Sequence, residues 1–210
     1  MSFKHKFQNE LNLEFVDYEP ATLIVGTFIP ELAAGEGVPW FYGRTEHNCF
    51  WSVLPRLYGE ASLINASPAD WRLFCRRNKI AITDIISAID DADLADPGHV
   101  KILAGFSDKA LAYHFDDFDT VNIVQVLQRR PAIQNVYFTR GVTEAFWRHL
   151  WNPVMQYCNR NSLHERKLLT PSPDAQYQHE EYNRQNPENK IPLLEDYILM
   201  RWREEWHDML

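Results

Sequence analysis

Four short stretches of this chain hold residue types from which a reaction centre can be built. The apolar run Leu23-Ile24-Val25 stops at Gly26 and gives way to Thr27-Phe28-Ile29-Pro30. A long arm follows and ends in Phe41-Tyr42-Gly43-Arg44-Thr45-Glu46-His47-Asn48-Cys49-Phe50-Trp51. Asp84 lies near the end of a second apolar run, and Thr170-Pro171-Ser172-Pro173 comes late in the chain. Each stretch has a chemical use and a purely structural one. The Asn48 amide can orient a water, or it can cap the helix that starts after it. Asp84 can accept an N–H from a ligand, or cap the next segment. Tyr42 can stack on a flat ligand or fill the core, as can Phe41; for Phe50 and Trp51 the core is the preferred place. Ser172 can bind an anion or simply turn the chain between two prolines. Arg140, just before Gly141, can contact phosphate or sit as a solvated strand end.

These residues need elements to carry them. Ala21–Thr27 reads as a first buried strand, Lys79–Ile86 as a second that ends near Thr83 or Asp84, Asn135–Thr139 as a third, and Arg166–Thr170 as a short fourth. Proline after Thr170 stops that strand. Between them the pattern turns helical. Cys49–Leu57 follows Asn48, with Pro55 ending or kinking it. Ser67-Pro68-Ala69-Asp70 is a strong start signal for a helix to Arg77 that buries Trp71, Phe74 and Cys75. A third helix is expected from Asp119 or Thr120 to Arg130, and a fourth from Glu144 to Cys158, interrupted at Pro153. A last one opens at Pro192 and turns Leu194, Tyr197, Ile198, Trp202 and Trp206 inward. Residues 1–20 read as a short helix on the sheet edge, Ser87–Gly105 as acidic and irregular, the stretch after Asp174 as a polar loop, and Glu31–His47 as an aperiodic arm. Strands alternating with helices predict an α/β fold: a three-layer α/β/α sandwich around a central, mostly parallel four-stranded sheet. In such sheets ligands bind outside the carboxyl ends of the strands, where the four stretches begin.

Composition narrows the class. A chain of 210 residues with 45% apolar content is expected to form a single domain over residues 1–210. No apolar run approaches the roughly 20 residues that cross a bilayer, and the start Met1-Ser2-Phe3-Lys4-His5-Lys6 lacks a signal-peptide core. A cytoplasmic monomer is the expectation. The three cysteines, Cys49, Cys75 and Cys158, are odd in number and far apart, as for reduced thiols. The eight histidines show no ligand spacing, so no metal is expected. A net charge of −8 argues mildly against nucleic acid as a partner, although the charge on one face decides. The acidic runs Asp90–Asp96 and Asp116–Asp119 are expected to be solvated loops.

The order of these stretches resembles the uracil-DNA glycosylase superfamily over roughly residues 20 to 175. Members carry a Gly-x-x-Pro-Gly-like loop after the first strand, an aromatic arm ending in a variant of Asn-x-Phe-Trp, and a late Pro-Ser loop. Here these are Gly26-Thr27-Phe28-Ile29-Pro30, Asn48-Cys49-Phe50-Trp51 and Pro171-Ser172. The arm is most similar to the mismatch-specific and hypoxanthine-DNA glycosylase branches. The resemblance implies hydrolysis of the N-glycosidic bond of a flipped, deaminated or damaged base (hypoxanthine, uracil or xanthine), with damaged DNA as partner and no cofactor. It implies that Asn48 and Thr27 are catalytic, Asn48 holding the water while the backbone at Thr27 and Phe28 stabilises the leaving base. It gives Phe28, Phe41, Tyr42 and Asp84 to the base. It gives Gly26, Arg44, Arg140, Thr170 and Ser172 to the DNA, with Lys167 as a further phosphate contact. Flipping costs a few kcal/mol, and stacking on an aromatic ring returns about 1–3 kcal/mol.

The chain departs from the family pattern in three places. Thr27 and Phe28 stand where many branches carry Asp or Asn, Glu31 replaces the glycine after the proline, and Leu169-Thr170 precede the Pro-Ser pair without a histidine. Two rival readings follow. One is a divergent, non-catalytic relative that binds DNA or a nucleotide. The other is an unrelated small-molecule enzyme with His47 or His164 as base, ranked last because neither a nucleophile elbow nor a phosphate-binding glycine loop is present.

Overall fold

Consecutive residues of a strand point to opposite faces, so a strand buried at every position must be covered on both sides. Three segments meet that condition here: β2 (Thr22–Gly26), β3 (Ile80–Asp84) and β6 (Asn135–Phe138). In the computed structural model, which describes residues 2–32 and 38–207, they join β7 (His164–Lys167) in a four-stranded, all-parallel sheet of order β3-β2-β6-β7. Helices cover it, in agreement with the α/β/α expectation. The helices among the described residues are α1 (Phe50–Leu57), α2 (Pro68–Arg77), α3 (Pro97–Ala104), α4 (Asp108–His114), α5 (Ile123–Arg129), α6 (Ala145–Arg160), α7 (Gln176–Gln185) and α8 (Leu194–Glu205). Among the described residues no helix is long and apolar enough to cross a membrane.

Register aligns the strand ends. Gly26 pairs with Asp84, Val25 with Phe138, and Phe138 with Lys167. The chain leaves β2 toward β3 on one side and later enters β6 on the other, which creates a switch point beside β2. The loops after β2, β3, β6 and β7 therefore leave from one edge. A second, antiparallel sheet of order β1-β4-β5 is built from β1 (Phe3–Lys4), β4 (Ile86–Ile89) and β5 (Phe118–Thr120).

Several local expectations are corrected. Residues 1–20 hold β1 and one 3₁₀ turn, Gln8–Glu10, instead of a short helix. The buried-exposed-buried alternation of Phe3, Lys4 and His5 is a strand period. Ser87–Gly105 is not irregular throughout: β4 occupies part of it, and Asp96 caps α3 by accepting from Gly98 N–H at 2.7 Å. The third expected helix starts later, because Asp119 and Thr120 belong to β5 and Asn122 is the cap, accepting from Gln125 N–H at 3.0 Å. α6 runs unbroken through Pro153. The carbonyl that loses its helical partner is that of His149, an exposed residue. β7 lies earlier than expected because its partner β6 ends at Phe138, so Thr170 falls in the loop. The polar stretch after Asp174 folds into α7. Of the aperiodic arm, positions 33–37 lie outside the described residues, as do 1 and 208–210.

Candidate active site

The arm that carries Asn48 is held by aromatic stacking. Trp40 stacks on Trp51 with centroids 5.7 Å apart, and Trp51 stacks on Trp71 of α2 at 5.0 Å. The Trp51 indole donates to the Phe41 carbonyl at 3.0 Å. At the end of the arm, Cys49 N–H donates to the Pro171 carbonyl at 2.8 Å, which joins it to the late loop. Trp202 of α8 donates to Leu169 O at 2.7 Å and fixes that loop from behind. The first loop is pinned from the other side, where Lys6 N–H donates to Ile29 O at 2.8 Å and Ile86 N–H to Thr27 O at 3.0 Å.

Between these loops lies a cavity of about 470 Å³. Thr27, Phe28, Tyr42, Arg44, Asn48, Asp84, Thr170 and Ser172 all line it, with Gly26 at its floor. Residues distant along the chain thus meet at one concave site at the carboxyl edge of the sheet. Phe41, Arg140 and Lys167, all given a ligand or DNA role above, do not line it. Phe41 is 1% exposed and packs in the core against Phe7, His5 and Trp40, so it forms no platform at the cavity surface. Arg140 lies behind the wall with its guanidinium 2.8 Å from Asp108 and 3.1 Å from Glu144, and over the Trp147 ring at 4.2 Å. Lys167, also absent from the lining, pairs with Glu165 at 3.0 Å.

Asn48 makes a structural bond: its Oδ1 accepts from Phe50 N–H at 2.8 Å at the entrance of α1. An amide oxygen has two lone pairs, so this leaves one acceptor position. Tyr42 stacks flat on Phe50, with centroids 3.8 Å apart and planes 3° from parallel. Its backbone is in the left-handed region, at φ 55°. The Thr139 and Tyr42 hydroxyls bond each other at 2.8 Å, and Thr139 also reaches Val25 O at 3.3 Å. Burial pushes the Tyr42 phenol well up from its ordinary value, Asp84 adds to the effect, and the Thr139 bond opposes it. In the late loop the Thr170 and Ser172 hydroxyls bond each other at 3.0 Å.

Asp84 is held by a residue that sequence reasoning passed over. His5 Nε2 lies 2.8 Å from Asp84 Oδ2, and both side chains are almost wholly buried. His5 Nδ1 accepts from Phe7 N–H at 2.9 Å, so the ring proton that meets Asp84 is on Nε2. The other oxygen, Oδ1, packs over Gly26. A Cβ at Gly26 would lie 2.2 Å from Asp84 Oδ1 and 2.7 Å from the Tyr42 hydroxyl. Glycine is required there for lack of space.

The segment Gly105-Phe106-Ser107-Asp108 also lines the cavity, as do Pro173 and Asp174. Arg44 lies over the Phe106 ring at 4.0 Å. The only local signal for this segment is the Ser107 cap, which accepts from Ala110 N–H at 3.3 Å and starts α4 with Asp108. Asp84, Asp108 and Asp174 give the lining an acidic balance against Arg44 and His47. Such a wall accepts N–H groups and repels phosphate. No three His, Cys, Asp or Glu side chains among the described residues are grouped to hold a metal ion.

No protein-family model matches the chain, and no curated protein matches it. Among solved structures it is similar to a solution NMR structure from Methanosarcina acetivorans described as a "putative Uracil DNA glycosylase". The two share 15% identity and superpose with a TM-score of 0.52, over 91% of this chain and 94% of that one. At that identity the likeness is one of fold, and it extends over nearly the whole of both chains.

Proposed function

We propose that this protein is a monofunctional DNA glycosylase that hydrolyses the N-glycosidic bond of a flipped deaminated or damaged base, with hypoxanthine, uracil and xanthine as candidates. The observation that carries this reading is the convergence of the first loop, the Asn48 arm, the end of β3 and the Pro-Ser loop on one cavity. The fold shared with a protein described as a glycosylase supports it. In this reading the base enters beside Tyr42 and Phe28. Asp84, with Oδ2 taken by His5, offers Oδ1 as an acceptor for a base N–H. Asn48 uses its second lone pair to orient water. The electron pair of the broken bond leaves with the base, and the sugar cation is captured by water. Thr170, Ser172 and Arg44 are assigned to the flanking backbone, outside the acidic part of the wall.

A panel of duplex and single-stranded oligonucleotides, each with one lesion, followed by alkali cleavage, tests the reading. Strand breakage at one or more lesions is expected. Failure to release any lesion above the level of Asn48→Ala overturns it.

A second reading, a non-catalytic binder of DNA or a nucleotide, draws support from the Asn48–Phe50 bond and from Thr27 and Phe28 in place of an acid. Its signature is salt-dependent binding with the lesion left intact.

A further inference from the structure

The first loop has no acid, yet the fold delivers one beside it from a different part of the chain. Asp108 is the first residue of α4 and lines the cavity together with Thr27 and Asn48. The Arg140 guanidinium lies 2.8 Å from its Oδ2, and the Thr27 hydroxyl favours its charged form. Arg140 is itself bracketed by Glu144 and Trp147, so the prop behind Asp108 is fixed. A carboxylate has about four lone-pair positions. Arg140 and Thr27 engage it from the wall, and the cavity side is left for a ligand or water.

We propose that Asp108 is the catalytic carboxylate of this site, facing the cationic sugar and taking the proton of the attacking water in place of a first-loop acid. The inference rests on the glycosylase reading of the same cavity. The C1′–N bond breaks and its electron pair leaves on the base. The water oxygen bonds to C1′, and one of its protons passes to Asp108. That proton then moves to the base anion, so water is divided across the broken bond and the carboxylate is restored. Asn48 holds the second water proton. A carboxylate meets both needs of the step, since it is a stronger base than an amide and carries the charge opposite to that of the sugar. Partial burial, with 30% of the side chain still exposed, raises the Asp108 carboxyl from its ordinary value, which increases its appetite for a proton.

The bland alternative is that Asp108 only starts α4 and pairs with Arg140. Asp108→Asn keeps the shape and separates the two. Single-turnover base release from a lesion duplex should fall by about a hundredfold or more, while binding of that duplex, read by fluorescence anisotropy, is retained. The pH profile of the unmodified protein gives a second measurement that no folding defect can disturb. Release should rise with pH on the acid side through one ionisation raised from the ordinary 3.8 of an aspartate. The charged and titratable groups around Asp108 are Arg140 after β6, Asp84 at the end of β3, Asp174 in the late turn, and Tyr42, Arg44 and His47 on the arm.

Release by Asp108→Asn at the normal rate, or a flat acid side in the profile, overturns the proposal and leaves the glycosylase reading standing. Loss of binding and release together, with the fold intact, makes Asp108 a binding residue and also overturns it. If the unmodified protein releases no base from any lesion, both fall.

Discussion

His5 and Asp84, 79 positions apart, meet at 2.8 Å inside the protein, with the imidazole Nε2–H directed at Oδ2. The bond ties the N-terminal segment to the end of β3 and decides which carboxylate oxygen reaches the cavity. His5→Ala should leave a buried carboxylate without its donor and cost about 3 kcal/mol, read as a fall in the urea midpoint. On the glycosylase reading, base release should fall further than stability alone explains, because Asp84 is then free to turn. A variant with unchanged midpoint would show that water replaces the imidazole at no cost.

Gly26 carries a second prediction, because the same carboxylate closes over it. In Gly26→Ala the new methyl would sit 2.2 Å from Asp84 Oδ1, and Asp84 cannot retreat while His5 holds its other oxygen. We expect an overpacking cost of about 2 kcal/mol, seen in thermal melts, and loss of base release. Full release by this variant would mean that the close approach of Asp84 and Tyr42 has no part in the chemistry.

Tyr42 separates stacking from hydrogen bonding. Tyr42→Phe removes the bond to Thr139, costs about 1 kcal/mol and keeps the ring on Phe50, so affinity for lesion DNA should survive. Tyr42→Ala removes the flat surface, and affinity should fall by about 1–3 kcal/mol. If the two variants bind alike, the ring is only core.

The parts of the fold legible from the chain are those in which local pattern and final environment agree. Leu23-Ile24-Val25 and Val136-Tyr137-Phe138 are apolar on both faces because the sheet is covered on both. Ser67 and Asp70 form the reciprocal capping pair that their spacing announces. What escaped depends on distant partners. β1 is two residues long and exists only because β4 pairs with it. His5 lies between two lysines, and nothing local marks it as the donor to a carboxylate 79 positions on. Asp108 looks like an ordinary acid in a helical first turn, and only the path of the chain through Gly105 and Phe106 brings it beside Thr27. Phe41 and Tyr42 are adjacent aromatics, yet the first is sealed in the core and the second lines the cavity. No spacing rule separates them, because the arm is aperiodic and Tyr42 takes a left-handed backbone.

Cys49, not Asn48, is the N-cap of α1, so Asn48 can be tested for a role beyond its turn bond to Phe50 N–H. Serine also bonds a backbone N–H two residues on, so Asn48→Ser should keep the start of α1 within about 0.5 kcal/mol. Its short side chain cannot reach as far into the cavity. Stability close to the unmodified protein with strongly reduced base release is the expected result. Retained release would limit Asn48 to its turn bond with Phe50.

The pH dependence of stability shows whether burial or Arg140 controls Asp108. The carboxyl is raised from its ordinary value of 3.8 first by burial, with Asp84 and Asp174 adding to the effect, while Arg140 and Thr27 oppose it. A group whose folded pKa is raised binds its proton more tightly in the folded state. Its favourable contribution is therefore complete below the unfolded value and is lost as pH rises through the folded one. Asparagine cannot ionise and escapes that loss. Urea midpoints of the unmodified protein and Asp108→Asn, followed from pH 3 to neutrality, should shift in favour of the asparagine variant as pH climbs past 3.8. Arg140 keeps Glu144 at 3.1 Å in either case, so the variant does not leave it without a partner. A shift of the opposite sign would mean that the ion pair outweighs burial. The carboxylate would then be held charged too firmly to take a proton from water, which would count against its catalytic role.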